Sequence, residues 1–247
     1  EDDVVPTYRD EAIILRTQRL GEADRIITML SRSHGRVRAV AKGVRRTGSR
    51  FGARLEPFSH VDIQLYEGRS LDTVTQVESL AAQGAVLAED YPRWTSGTAM
   101  LEATERLTPV EREPAVQQYL LLVGGLRTMV SGTHDPSLIL DAFLLRSLAI
   151  AGWSPSFSEC AQCGASGPHR AFSIHGGGAL CDACRTPGCA SPAEPTLVLL
   201  GSLLSGDWAV ADASDPRHRR EASGLAAALV TWHLERGLRS LPLVDRG

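Results

Sequence analysis

Lysine is nearly absent from this 247-residue chain: Lys42 is the single lysine among 26 basic residues, and the rest are arginine. Coding bias in a GC-rich genome accounts for such a skew. It costs a phosphate-binding protein nothing, because the guanidinium is the better bidentate partner for phosphate and also stacks on planar rings. Aromatic residues are also scarce, at 5%, which argues against nucleic-acid readout built mainly on base stacking. No uninterrupted apolar run reaches the about 18 residues of a membrane span. The most apolar stretch, SLILDAFLLRSLAIAGW (137–153), is broken by Asp141 and Arg146 and reads as a buried helix. The opening residues EDDVVPT are set aside from fold reasoning, and the sequence shows no basic, apolar and small-residue export pattern, so a cytoplasmic location and no membrane partner are expected.

Catalytic signatures are missing as well. There is no HExxH, no GxSxG, no dinucleotide glycine fingerprint and no zinc-deaminase pattern. GVRRTGSR (43–50) approaches the P-loop pattern, but Ser49 stands where the phosphate-binding lysine belongs and Arg50 where the magnesium-binding hydroxyl belongs. Neither an enzyme nor a small-molecule substrate is expected. Acidic residues, finally, are missing from the segment where basic ones concentrate. From Arg25 to Leu55 the chain carries nine of its 26 basic residues and none of its 29 acidic ones, although its net charge is −3.

Hydrophobic content of 43% and charged content of 22% suit a folded globular protein, and the length fits two domains of roughly 100–200 residues or less each. Residues 11–17, 25–31, 36–42, 60–66 and 71–77 alternate and are rich in β-branched residues, with Ser33-His34-Gly35 and Glu67-Gly68 as turns. In the third run, a period of two puts Arg36, Arg38, Val40 and Lys42 on one face and Val37, Ala39 and Ala41 on the other. Five such strands are compatible with an oligonucleotide-binding (OB) barrel or an SH3-like barrel, and strand counting does not separate the two. Past residue 80 the period becomes helical. Val116, Tyr119, Leu120, Val123 and Val130 mark one stripe, and Asp135-Pro136 and Asp215-Pro216 start helices over 137–152 and 216–241.

Between those helices, 154–195 is rich in Pro, Gly, Ser and Cys. It contains CAQCGASGPHRAFSIHGGGALCDAC, two CxxC pairs formed by Cys160 with Cys163 and Cys181 with Cys184. This spacing fits one four-cysteine zinc site, structural because four thiolates leave no open coordination position, with AFSI-HGGG-ALC as the hairpin of a zinc ribbon. Disulfides are the alternative reading. Cys189 is a spare thiol or a substitute for Cys184, and His169 and His175 read as surface or hairpin residues rather than ligands.

The basic run has two readings, a solvated face or a phosphate-binding array of Arg36, Arg38, Lys42, Arg45, Arg46, Arg50 and Arg54, with Phe51 and Tyr66 available to stack a base. Here the residues resemble a known family. EAIILRTQRLGEADRIITMLSRSHGRVRAVAKGVRRTGSRFGARLEPF (11–58), with its G-E-A-D turn, A-K-G with a basic tail and L-x-P-F, resembles the recombination mediator RecO. The four-cysteine ribbon and the closing HLERGLRSLPL are similar to the zinc-containing, actinobacterial-like form.

The resemblance implies an α+β multidomain protein: a five-stranded OB barrel over 1–80, then an α-helical domain over 81–247 with a four-cysteine zinc ribbon at about 157–194. It also implies a nucleoid-associated DNA repair and homologous recombination mediator of the RecF pathway. Such a protein binds single- and double-stranded DNA, anneals complementary strands, works with RecR and assists RecA loading onto strands covered by single-strand-binding protein. One structural zinc per chain and DNA contacts at the seven basic residues named above follow. The competing expectation is a zinc-ribbon protein-interaction module with accessory nucleic-acid binding.

Overall fold

The computed structural model describes residues 7–49, 51–235 and 237–244. Five strands form first: β1 (Thr7–Leu20), β2 (Asp24–Ser31), β3 (Gly35–Ala41), β4 (Ser59–Tyr66) and β5 (Asp72–Ala82). They close into a barrel in the order β1-β2-β3-β5-β4, the OB-like ring. β1 is long enough to pair with β4 at one end and β2 at the other, and a register shift between Ile14 and Arg16 bends it between the two partners. Alternation fills the interior with Ile14, Ile27, Met29, Val37, Ile63 and Leu65, among others. A short 3-10 helix, Gly52–Leu55, adds Phe51 and Leu55 to the same core.

Closure rests on a short seam. β3 and β5 run parallel and pair only at Ala39 with Asp72 and Val40 with Thr73. The remaining edge of β3 is covered by the chain near residue 111, where the Arg112 N–H donates to the Arg36 carbonyl at 2.9 Å and Arg36 forms an isolated β-bridge with Glu111. Gly35 is required there: its φ is +66°, and a Cβ would lie 1.7 Å from the Glu113 carbonyl oxygen. At the seam, the fully buried Asp72 carboxylate accepts from the Tyr8 hydroxyl, the Arg112 guanidinium and, at 3.1 Å, the Gly68 N–H. Burial, and then the bond to Asp72, push the Tyr8 phenol pKa up.

Helices follow: α1 (Gln83–Ala88), α2 (Tyr91–Leu107), α3 (Val116–Ser131), α4 (Pro136–Ile150), α5 (Glu194–Ser205), α6 (Trp208–Asp212) and α7 (Pro216–His233). Asp135 caps α4, accepting from the Ser137 N–H at 2.8 Å, and Asp215 caps α7 in the same way through the Arg217 N–H at 2.7 Å. Among the described residues no helix is long and apolar enough to cross a membrane.

Two helical expectations need correction. α3 buries Gln118, Tyr119, Leu122, Val123, Leu126 and Met129, while Val116 and Leu120 are exposed. In a segment as leucine-rich as YLLLVGGL, period alone does not fix which face turns inward, and the bond from Tyr119 to His60 at 2.9 Å sets the phase. α7 ends at His233 rather than 241, because Glu235 turns left-handed at φ +54° and the N–H groups of Arg239 and Ser240 bond the Glu102 carboxylate, each at 2.8 Å.

Two compact units result. The first holds the five strands, α1 and Thr104–Val130. The second holds Tyr91–Ala103 and the chain after Val130, where α4, α5 and α7 pack on one another. A sequence boundary at residue 80 follows the change of element type, whereas compactness gathers α1 and Thr104–Val130 with the barrel.

Asp72→Asn keeps the shape of the side chain but withdraws the charge that three donors surround. It should destabilise the protein by about 2–4 kcal/mol, read as a lower urea midpoint with an unchanged denaturant slope.

Candidate nucleic-acid and metal sites

The basic loop begins where β3 ends. Gly43 takes a φ of +66° and its N–H donates to the Asp24 carboxylate at 2.7 Å; the Arg45 N–H donates to the Ala23 carbonyl at 3.0 Å. The Arg45 guanidinium also reaches the Glu22 carbonyl at 2.8 Å. The G-E-A-D turn and the A-K-G motif, about twenty residues apart in sequence, are thus one structural unit, with the β1–β2 turn serving as the platform of the loop. Lys42, Arg45, Arg46 and Arg54 lie on this loop at or near the surface, and Arg50 lies outside the described residues. One basic residue on β1, outside the sequence-based set, lies in register with strands that lead to this loop. Arg19 is exposed and pairs in register with Arg25, which pairs with Ala41 beside Lys42. Only hairpin register, not local sequence, brings it near.

Arg36 and Arg38 are placed differently. Both point outward from β3, as alternation requires, but Arg38 is ion-paired with Glu111 and Arg36 donates to the Pro109 carbonyl. Arg25 is paired with Glu56 at 2.5 Å. The absence of acids within the segment therefore does not mean an absence of acids around it. Phe51, expected to be free for stacking, is 2% exposed and belongs to the barrel core. Its place is set by the 3-10 turn that follows, which folds the ring inward. Tyr66 remains on the surface, 39% exposed.

The four cysteines Cys160, Cys163, Cys181 and Cys184 come together, with ligand atoms all within 4.8 Å of one another. The first pair is shaped by a tight turn: the Gly164 N–H donates to the Cys160 carbonyl at 2.8 Å, the Cys160 N–H in turn donates to the Ala165 carbonyl at 2.8 Å, and Gly164 takes φ +74°. The second pair is delivered by a hairpin of β6 (Ala171–Ser173) and β7 (Gly178–Leu180), since Cys181 directly follows β7. Cys163 and Cys181 Sγ are 3.8 Å apart. This matches the edge of a sulfur tetrahedron around one metal ion, roughly 3.8 Å for sulfurs about 2.3 Å from zinc, and is far too long for a disulfide.

Backbone N–H groups of Cys181 and then Cys163 lower the Cys160 thiol to about 6, while the neighbouring sulfurs of Cys181 and Cys163 push Cys184 up to about 12. Cys160 ionises readily, whereas Cys163 and Cys184 resist. A central cation is the charge that lets all four ionise. Cys189 lies outside this group and interacts with Thr186 at 3.4 Å, although it packs near the same small apolar cluster of Cys160, Ala171 and Leu180. His169 is tied to the Ala165 carbonyl at 2.8 Å.

Comparison with known proteins agrees along nearly the whole chain. Residues 5–83 match the family model for the recombination protein O N terminal, and residues 88–242 match that for the recombination protein O C terminal. The chain is 62% identical over 245 residues to the DNA repair protein RecO of Streptomyces avermitilis, covering 97% of this chain and 99% of that one. It is 61% identical over 239 residues to that of Thermobifida fusca, covering 97% and 98%, and 56% identical over 242 residues to that of Frankia casuarinae, covering 98% and 100%.

Replacing Cys160 or Cys163 with Ser should remove bound metal, measured as metal per chain by elemental analysis, and should yield poorly soluble protein because a structural metal contributes folding free energy directly. Cys189→Ser should leave metal content unchanged; loss of metal there would overturn the four-ligand assignment.

Proposed function

The chain belongs to the recombination protein O family of DNA repair proteins, non-enzymatic recombination mediators, and on that premise we propose that it binds single- and double-stranded DNA along the phosphates and anneals complementary strands. Acting with RecR, it assists RecA loading onto strands covered by single-strand-binding protein. The DNA-binding residues are Lys42, Arg45, Arg46, Arg50 and Arg54, joined by Arg36 and Arg38 on the adjoining strand. Residues 1–80 form the DNA-binding domain, and residues 81–247 the helical domain that carries the ribbon at about 157–194. The four cysteines hold one structural zinc per chain.

One observation carries the reading: the Asp24 to Gly43 bond fixes a turn that holds Lys42, Arg45 and Arg46 toward solvent. A fixed cationic turn gains affinity from counterion release at any sequence. It positions a strand without occupying its base edges, so two strands held nearby can pair. Arg36 and Arg38 join only by exchanging the Pro109 carbonyl and Glu111 for phosphate, which makes them a second tier of binding residues.

The purified protein should accelerate annealing of complementary oligonucleotides without any nucleotide, and the effect should fade with salt. Replacing Arg45 and Arg46 with Ala should slow annealing and flatten the log–log salt dependence by about 0.7 for each single-strand phosphate that is no longer neutralised. An annealing rate equal to the protein-free rate at low salt, with folded and metal-loaded protein, would exclude the proposal.

Glu111→Gln tests the second tier. The Arg38–Glu111 pair is partly exposed, so its removal should strengthen DNA binding only about two- to fivefold, with a steeper salt dependence. Unchanged affinity and slope would remove Arg38 from the DNA-binding set.

A further inference from the structure

In the second compact unit, Trp153 follows the end of α4, Trp232 and His233 end α7, and His175 sits in the β6–β7 turn. They line a cavity of about 940 Å³ together with Ile174 and Glu235. Two of the four tryptophans of an aromatic-poor chain are exposed here, Trp153 by 44% and Trp232 by 48%.

The indoles are oriented rather than loose. Trp153 stacks on His233 with ring centres 4.7 Å apart and planes 12° apart, and Trp232 meets His175 edge-on at 4.0 Å and 82°. Burial lowers the pKa of His233, so at neutral pH it stacks as a neutral ring. Among the described lining residues Glu235 is the only Asp, Glu, Lys or Arg, and its left-handed turn sets it directly after the helix that carries Trp232.

The chemistry of this cavity selects its occupant. Indole faces attract cations, and guanidinium best combines charge with a planar surface that stacks. Glu235 supplies a carboxylate for the same group. A nucleic-acid strand is disfavoured, because none of the described lining residues is Lys or Arg and Glu235 repels phosphate. A purely apolar segment would stack on the indoles but leave the carboxylate without a partner. Half-exposed, pre-oriented tryptophans are also the side chains that dominate protein interfaces.

We infer that the Trp153–Trp232 cavity is a docking site for an arginine side chain presented by a partner protein, gripped between an indole face and the Glu235 carboxylate. This surface is separate in sequence from the basic loop and of opposite charge preference, so the inference does not depend on the DNA-binding reading.

The test titrates the full protein with acetyl-Ala-Arg-Ala-amide while tryptophan emission is followed, beside the same tripeptide carrying citrulline, which keeps the planar shape and removes the charge. The arginine peptide should give a saturable change, with the citrulline peptide at least about tenfold weaker. Trp232→Ala should abolish the response. Glu235→Gln, an exposed substitution that leaves packing intact, should weaken it severalfold.

Any of four results would overturn the inference. An equal response to the two peptides, or no response, would leave a generic apolar groove. Quenching by oligothymidylate that the arginine peptide displaces would reassign the cavity to nucleic acid. An emission change that depends on protein concentration without any peptide would make it an interface between copies of the chain.

Discussion

A barrel closed by two paired positions needs something besides strand pairing at its seam, and that something is the Asp72 carboxylate. A fully buried charge is tolerable only when its lone pairs are met, and here the donors come from three places in the chain: Tyr8 on β1, Gly68 in the turn before β5, and Arg112, forty residues beyond Asp72. Meeting that demand pulls the stretch around Arg112 against the free edge of β3. The stretch then supplies the Pro109 carbonyl and the Glu111 carboxylate that engage Arg36 and Arg38. The electrostatics of the barrel surface follow from how the barrel is closed.

The cationic segment accordingly divides by task. Arg25, Arg36 and Arg38 hold elements together through acids and carbonyls from elsewhere, whereas Lys42, Arg45 and Arg46 sit on a turn whose own backbone is fixed by Asp24 and Ala23. The near-exclusive use of arginine serves both tasks. A guanidinium can bond a carbonyl with one edge and still present another, as Arg45 does over the Glu22 carbonyl.

What is legible in the sequence is what depends on local pattern. Alternation marks all five strands and the outward face of β3, Asp-Pro marks the starts of α4 and α7, and CxxC spacing marks the four clustered cysteines. What is not legible depends on partners distant in sequence. Glu111 lies 73 residues from Arg38, so a window free of acids reads as a free cationic face. Phe51 reads as available for stacking because nothing local shows that the next turn folds it into the core. The phase of α3 is set by a tyrosine bonded to His60 on another element, and the end of α7 by a carboxylate on Glu102.

The two candidate sites are also held by different physics. Among the described residues fourteen buried ones pack the barrel interior, and the loop it presents is positioned by bonds from its backbone to the Asp24 carboxylate and the Ala23 carbonyl within the same unit. The cysteine hairpin has two three-residue strands, buried at Ala171, Phe172, Ala179 and Leu180, with one small apolar cluster of Cys160, Ala171 and Leu180 beside the sulfurs, a modest share of packing against the entropy of ordering its turns. A metal held by the four clustered thiols would add folding free energy of its own to that packing. Two pairs of cysteines, each held by a short backbone turn and joined by a minimal hairpin, bring four sulfurs to one point, and a cation held there would both balance their charge and add to the order of the turns around them.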